Sequence, residues 1–204
     1  SSVILEGEPV EDERAPGGWE IRATKFEVFH FADTFPITKD QSDKHLLNNR
    51  HLWLRSRSMV SALKIRSTVF KAFRDYWTNL DFTEIQSPSF TTSACEGGST
   101  LFNVSYDDEN EKSGQKFYAY LSQSWQLYAE ATMFGLENIF TIAPSFRAEK
   151  SRTRRHLTEF WHAEVESAWL HNHQMMELEE GMIVYILKEV LSSNRAELEF
   201  LGRD

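Results

Sequence analysis

The pattern of apolar and polar positions divides the chain into a β-rich beginning and a mixed remainder. Residues 1–38 contain a short apolar run, followed by alternation through Trp19, Ile21 and Ala23 that slips by one position before Phe26. Alternation with a period of two predicts two strands, and the slip predicts a β-bulge in the second strand. Two strands are too few for an independent domain, so we expect this segment to be the remnant of a larger sheet.

The remainder shows both helical and strand patterns. Turn-forming residues around Pro36 and Asp40 predict a linker or hinge, which we assign to residues 39–55. Apolar residues at spacings of three and four predict a helix from Ser56 to Leu80. Further strands are predicted at 82–88, 101–106, 116–121, 139–143, 145–149 and 156–169, with helices at 124–134 and 175–191. Helices and mostly antiparallel strands in irregular order indicate an α+β fold.

Composition narrows the class of protein. With 204 residues, of which 41% are hydrophobic, the chain can bury one sizeable core beside a small appendage. The mean hydropathy of -0.48 and the lack of a long apolar run predict no membrane span. The single cysteine, Cys95, excludes a disulfide framework and suits a reducing cytoplasm, where we expect the protein to act. The net charge of -9 argues against nonspecific nucleic-acid binding, so any nucleic-acid contact has to be local.

The stretch from Phe146 to Glu164 is the most informative for chemistry. Five cations lie between Arg147 and Arg155, in a chain that is otherwise acidic. If the flanking strands form a hairpin, Arg147 and Glu149 share one face of its first strand. On the second strand, the period of two places His156, Phe160 and Glu164 on the face that we expect to line a cleft. The opposite face carries Trp161, Ala163 and Val165, which we expect to pack in the core.

The cleft-facing set offers a guanidinium, an imidazole, an aromatic ring and two carboxylates. Guanidinium and imidazole groups suit phosphate oxygens, a ring suits a stacked base, and a carboxylate suits an amino group. This combination fits a nucleoside triphosphate together with an amine-bearing substrate. The pattern alone leaves open a solvated hairpin with ordinary cross-strand ion pairs. It also leaves open whether His162 supports the cleft or is a packed structural histidine.

Arg147-Ala-Glu149, the basic loop and His156-x-x-x-Phe160 resemble motif 2 of the class II aminoacyl-tRNA synthetases. The fuller string from Phe146 to Phe160 resembles that of the asparaginyl-tRNA synthetase family. Four other strings resemble the same family: its amino-acid loop at 96–102, the start of its substrate-side helix at 122–130, the opening of its catalytic domain at 50–55, and motif 1 at 82–88.

The resemblance implies an antiparallel sheet flanked by helices. It also implies a partial OB-type anticodon-binding domain at residues 1–38 and a partial catalytic domain at residues 56–204. In this family the helix and strand of motif 1 form a dimer interface, so the resemblance implies a homodimer.

Individual roles follow from the resemblance, residue by residue. Arg147 would hold the α-phosphate of ATP and the carboxylate of the amino acid, and it is the expected catalytic residue. Glu149 would accept from the adenine amino group, and Phe160 would stack on the adenine ring. The other implied contacts are to ATP from Arg155, His156 and Leu157, and to the amino acid from Glu96, Ser124, Gln126 and Glu164. Activation is displacement at phosphorus, so catalysis is mainly positioning and charge neutralisation.

Asparagine and aspartate are the two candidate amino-acid substrates. In the sibling aspartyl enzymes a lysine soon after the Gln-Leu-aromatic string meets the second carboxylate, whereas this chain has Ala129 followed by Glu130. An uncompensated buried carboxylate is costly, but an amide only needs hydrogen-bond partners. The expected substrates are therefore L-asparagine, ATP and tRNA(Asn), with Mg2+ accompanying ATP.

Motif 3 of the family, Gly-x-Gly-x-Gly-x-x-Arg, is missing, since Gly181 and Gly202 are the only glycines after Gly135. The acidic metal ligands that precede motif 3 are missing too, so no metal ligand is assigned. We expect the chain to be truncated at both ends and to be incomplete for catalysis by itself. Three other functions stay open: an aspartyl-tRNA synthetase, a tRNA-independent asparagine synthetase and a non-catalytic nucleotide-binding module.

Overall fold

A computed structural model describes residues 1–15, 17–39, 41–95, 101–106, 117–149 and 156–203. They form two compact units, residues 1–60 and residues 61–204. The strands of the described ranges are β1 (Ser2–Glu11), β2 (Trp19–His30), β3 (Thr83–Glu84), β4 (Phe90–Thr91), β5 (Asn103–Tyr106), β6 (Phe117–Leu121), β7 (Asn138–Phe146) and β8 (Glu159–Ser167). The helices are α1 (Asp43–Asn48), α2 (Arg50–Trp53), α3 (Arg57–Asn79), α4 (Gln126–Leu136), α5 (Asn172–Ser193) and α6 (Arg195–Phe200).

In the first unit, β1 and β2 form an antiparallel ribbon. Glu6 is opposite Lys25, but Gly7 is opposite Ala23, so Thr24 is the extra residue of a bulge. The bulge lies where the alternation slips and confirms that prediction. A side chain at position 7 would meet the carbonyl oxygen of Arg22 at 2.3 Å, which explains the glycine.

The segment predicted as a linker contains α1 and α2. Ser42 starts α1 as its N-cap, because its hydroxyl accepts the backbone N–H of His45 at 3.4 Å. Six- and four-residue helices fall below the length that a hydrophobic period reveals, so the sequence pattern did not show them.

The second unit contains two three-stranded sheets. In the larger, β7 lies between β3, to which it is parallel, and β8, to which it is antiparallel. In the smaller, β6 lies between β4 and β5 and is antiparallel to both. Helices and mostly antiparallel strands confirm the α+β prediction. No helix in the described part of the chain is long and apolar enough to cross a bilayer.

One face of the larger sheet forms the main core. Phe140 and Ile142 of β7 join Phe73 and Trp77 of α3, and partly buried residues of α5 pack against this cluster. The Tyr76 hydroxyl donates to the carbonyl of Leu178 at 2.9 Å and ties α3 to α5. Three layers therefore fix β7: helix, sheet and, on the opposite face, α4.

The opposite face of the sheet is divided between packing and polar groups. At one end Ile139 is fully buried against Trp125 and Ala129 at the start of α4. Farther along, the face carries Thr141 and Ser145 of β7, opposite the residues of β8 that share it. This polar part of the face contains the candidate site.

The predicted break at Pro144 is wrong, because β7 continues through it to Phe146. Phe140 O accepts from the N–H of Ile85, and Phe146 N–H donates to Ser122 O, so these alternate residues direct their backbone groups away from β8. Pro144 belongs to the same alternate set of β7 residues, so its nitrogen also faces away from β8. Its missing N–H therefore costs no bond of the β7–β8 ladder.

Some predicted strands were too long, and some short elements were not predicted. The strand predicted at 82–88 is two residues, β3, and the strand predicted at 156–169 is shortened to β8. The short elements β4 and α6 were not predicted. Of the predicted core-facing set, Val165 packs on the main core, whereas Trp161 is half exposed against Phe70, with their ring centroids 5.6 Å apart.

Candidate active site

Arg147 and Phe160 form a pair at the connected end of the β7–β8 hairpin. The backbone N–H of Arg147 donates to Thr158 O at 2.9 Å, which extends the pairing one step beyond the strands. The guanidinium lies over the Phe160 ring, with Cζ 5.5 Å from the ring centroid. Such a contact holds the cation by its attraction to the ring face. The pair offers an anion-binding group beside an aromatic surface.

The carboxylate of Glu164, on the same face, is held by the start of α4. Ser124 Oγ donates to Glu164 Oε1, and the backbone N–H of Trp125 donates to Oε2 at 3.3 Å. Ser124 Oγ also accepts the N–H of Gln126 at 3.1 Å. The N–H groups of a helix start have no partner within the helix and favour negative charge. Glu164 is therefore a mostly buried carboxylate with partners suited to its ionised form.

His162 joins these two parts of the face. Its Nδ1 lies 3.2 Å from Glu164 Oε2 and 3.2 Å from Ser145 Oγ. Its ring centroid is 5.3 Å from that of Phe160. A continuous polar row therefore runs along the face from the Arg147–Phe160 pair to the carboxylate.

A second carboxyl group lies farther along β8. Burial raises the pKa of Glu166, and the charges of Glu164 and Glu130 raise it further. Three carboxyl groups thus lie close together, and the carboxylate of a bound ligand would be repelled by their negative charge. An amide would meet no such repulsion.

A cavity of about 230 Å³ opens at the start of α4. Ser122, Ser124 and Trp125 line it, and they also line a smaller recess that reaches Ser145 and Glu164. Cys95 closes part of the cavity, with its Sγ 3.8 Å from Gln126 Oε1. The space of small-molecule size therefore lies at the start of α4, whereas the Glu164 carboxylate lines only the smaller recess beside it.

The structure groups some of the predicted site residues and leaves others at the edge. Arg147 with Phe160, and Ser124 with Glu164, are in contact as expected of one site. Gln126 begins α4, and its Nε2 donates to Glu130 Oε1 at 3.3 Å. Three predicted ATP contacts are exposed residues near the hairpin end: Glu149, His156 and Leu157. Glu96 and Arg155 lie outside the described residues.

Ser145 and Glu166 were missed by sequence reasoning, and the role of His162 was left open. The period of two that selected Phe160 and Glu164 also selects His162 and Glu166. Cross-strand pairing adds Ser145, which is opposite Phe160. The alternation in the sequence was therefore enough to place these residues on the site face. Only the register of the hairpin shows that they lie beside Phe160 and Glu164 and are not unrelated polar residues of a strand.

No group of three or more His, Cys, Asp or Glu residues in the described ranges could hold a metal ion.

Comparison with known proteins places the chain in a family. Residues 42–202 match the family described as tRNA synthetases class II (D, K and N). Over its full length the chain is 52% identical to an asparagine–tRNA ligase of Thermoplasma acidophilum and 47% identical to one of Thermococcus gammatolerans, and it covers 46% of each.

A solved structure gives the same result. The asparaginyl-tRNA synthetase of Pyrococcus horikoshii complexed with asparaginyl-adenylate matches 98% of this chain at 44% identity with a TM-score of 0.87. The match covers 45% of that protein. The chain thus spans less than half the length of the relatives it matches, and it belongs to the class II tRNA synthetases.

Proposed function

We propose that the complete protein activates L-asparagine with ATP and transfers it to tRNA(Asn). The observation that carries this proposal is the Glu164 carboxylate, held at the start of α4 by Ser124 and Trp125 on the face that also carries the Arg147–Phe160 pair. A group for an amide or ammonium and a group for a nucleotide phosphate share one face. The similarity to asparagine–tRNA ligases over the whole chain supports the same reaction.

In the activation step, an oxygen of the asparagine carboxylate attacks the α-phosphorus of ATP. The new bond is O–P, the bond to the β-phosphate oxygen breaks, and pyrophosphate leaves with the electron pair. The attacking carboxylate is already ionised, so the step needs no general base. Arg147 would bind both the carboxylate and the α-phosphate and would neutralise the charge that accumulates between them.

The nucleotide would occupy the hairpin end. Phe160 would stack on the adenine, and Glu149 would accept from its amino group. Arg155, His156 and Leu157 would complete the ATP contacts, and Mg2+ would enter with the phosphates.

The amino acid would lie at the start of α4. Ser124, Gln126 and Glu164 would contact it, and Glu96 would belong to the loop that closes over it. Glu164 would accept from the side-chain amide or the α-amino group. Selection of asparagine over aspartate would follow from the charge near Glu164. Glu130 and Glu166 add negative charge, and Ala129, fully buried against Ile139, supplies no cation.

We assign residues 1–38 to part of an OB-type anticodon-binding domain, residues 39–55 to a hinge and residues 56–204 to part of the catalytic domain. α3 and β3 would provide the motif 1 dimer contact. The protein would act in the cytoplasm.

The test is ATP–pyrophosphate exchange by the complete natural protein with asparagine or aspartate, followed by charging of tRNA(Asn). Exchange that depends on asparagine, with esterification of the tRNA, supports the proposal. Stimulation by aspartate alone rejects the specificity. Formation of free asparagine from aspartate and ammonia, without charging, points instead to an asparagine synthetase.

A further inference from the structure

We propose that His162 is a positioning residue, whose Nδ1–H holds the Glu164 carboxylate in the orientation that receives asparagine. This inference rests on the proposed function, in which Glu164 binds the amino acid. It assigns to His162 an action on amino-acid binding and none on ATP binding.

The Nδ1 atom of His162 faces two oxygen atoms. That atom lies 3.2 Å from Glu164 Oε2 and 3.2 Å from Ser145 Oγ. An ionised carboxylate only accepts hydrogen bonds. A bare Nδ1 would direct its lone pair at that oxygen, so the stable arrangement has the hydrogen on Nδ1. The same N–H then reaches Ser145 Oγ as a second acceptor.

The two carboxylate oxygens of Glu164 have different donors. Oε1 accepts from the Ser124 hydroxyl, whereas Oε2 has the backbone N–H of Trp125 at 3.3 Å. His162 provides a second contact to Oε2, so His162 and Trp125 together fix the rotation of the carboxylate about its last side-chain bond. Ser124 alone would leave that rotation free.

The imidazole itself is fixed. It lies against the Phe160 ring on one side and contacts the buried Ser145 hydroxyl, and the side chain is only 27% exposed. A residue that orients a functional group is effective when its own rotamer is locked by packing and hydrogen bonds. His162 thus has the rigidity that a residue acting through Glu164 requires.

Three substitutions separate the hydrogen bond from packing. His162→Asn places an amide nitrogen close to the Nδ1 position, His162→Gln places it close to Nε2, and His162→Phe keeps the ring without nitrogen. We expect the Phe and Gln variants to raise the KM for asparagine about tenfold or more, since a lost hydrogen bond to a charged group has that effect. The KM for ATP and kcat should stay within about twofold. His162→Asn should restore most of the affinity.

The matched control is His173→Phe, the same exchange at an exposed histidine of α5. It should leave every constant unchanged. In the Glu164→Gln background, His162→Phe should cause no further rise in the KM for asparagine, because the partner charge is already gone. Equal losses in all three variants, or a rise in the KM for ATP, would overturn the inference in favour of a packing role.

A second measurement does not depend on any variant folding. In the wild-type protein, 15N NMR of the His162 ring should show hydrogen on Nδ1. A neutral ring with hydrogen only on Nε2 overturns the inference. Failure of the proposed function is a different result, because the wild-type protein would then show no exchange that depends on asparagine.

Discussion

The two faces of the β3–β7–β8 sheet are built from alternate residues of the same strands, yet different forces hold them. On the core face, Phe140 lies 5.9 Å from the ring of Phe73, within an entirely apolar cluster. On the site face, the neighbouring Thr141 is opposite Glu164, whose carboxylate is held by hydrogen bonds from α4. Many weak contacts fix the first face, whereas a few directional ones fix the second.

Because of this difference, substitutions on the core face should change stability, and substitutions on the site face should change binding or rate. Removing a core group leaves a cavity and lowers the free energy of unfolding. Removing a site group changes binding or rate and leaves the fold, because its partners are few and partly reached by water. The predictions below test that separation.

The largest effect is expected for Phe140→Ala. Phe140 is fully buried, so the loss of its ring should lower the free energy of unfolding by about 3–5 kcal/mol. Urea unfolding of the complete protein, followed by tryptophan fluorescence, measures it. Phe134→Ala is the matched control, since Phe134 is 95% exposed and should lose less than about 0.5 kcal/mol. Equal losses would show that Phe140 is not in the core.

Arg147→Ala should lower asparagine-dependent ATP–pyrophosphate exchange about 100- to 1,000-fold, the usual effect of removing a group that stabilises developing charge. The urea midpoint should not move, because Arg147 lies beyond the end of β7. Arg203→Ala, at an exposed arginine far along the chain, is the control. Activity within about threefold of wild type would contradict the role of Arg147.

Glu164→Gln should raise the KM for asparagine about 10- to 100-fold, since it removes the charge from the proposed acceptor of the amide or amine. The KM for ATP should not change, because the nucleotide would bind at the other end of the face. Glu159→Gln, at an exposed carboxylate that starts β8, is the control. A rise confined to the KM for ATP would place Glu164 in the nucleotide site instead.

The smallest effect is a pH dependence of stability from Glu166. Burial and its acidic neighbours raise the pKa of this carboxyl above the ordinary value of 4.5, so the folded protein holds the proton more tightly than the unfolded chain. The contribution of Glu166 is therefore most favourable below pH 4.5, and it is lost as pH rises through the raised pKa.

Glu166→Gln removes that loss. The stability of the variant relative to wild type should therefore rise as pH increases from 4.5 through the raised pKa, and the difference should be constant at higher pH. Urea unfolding at stepwise pH measures the difference. Glu179→Gln, at an exposed position of α5, should show no such trend. A difference that shrinks as pH rises would mean that Glu166 has a cationic partner.

The sequence predicted those parts of the fold that depend on a local periodicity of apolar residues. The spacing of apolar residues predicted α3 nearly to its ends, and the slip after Ala23 predicted the bulge at Thr24. It failed at Pro144, because whether a proline breaks a strand depends on which edge its nitrogen faces. That orientation is set by the register of β7 against β8, which is a tertiary fact.

The candidate site shows the same limit. Alternation on β8 placed Phe160 and Glu164 on one face, as the structure does. It could not assign a partner to Glu164, since Ser124 comes from a separate part of the chain. The role of His162 depends on a distance to a side chain two residues away, and many strands have such spacing without contact.

The bond between Ser124 and Glu164 joins residues 40 positions apart. At about 5–20 residues per second of translation, Ser124 is incorporated about 2–8 seconds before Glu164. Until then the start of α4 has no anion to hold, and closing such a separation costs chain entropy that local contacts do not repay. The site face therefore cannot form on a growing chain until β8 has been made, and the bond between Tyr76 and Leu178 has to wait longer still.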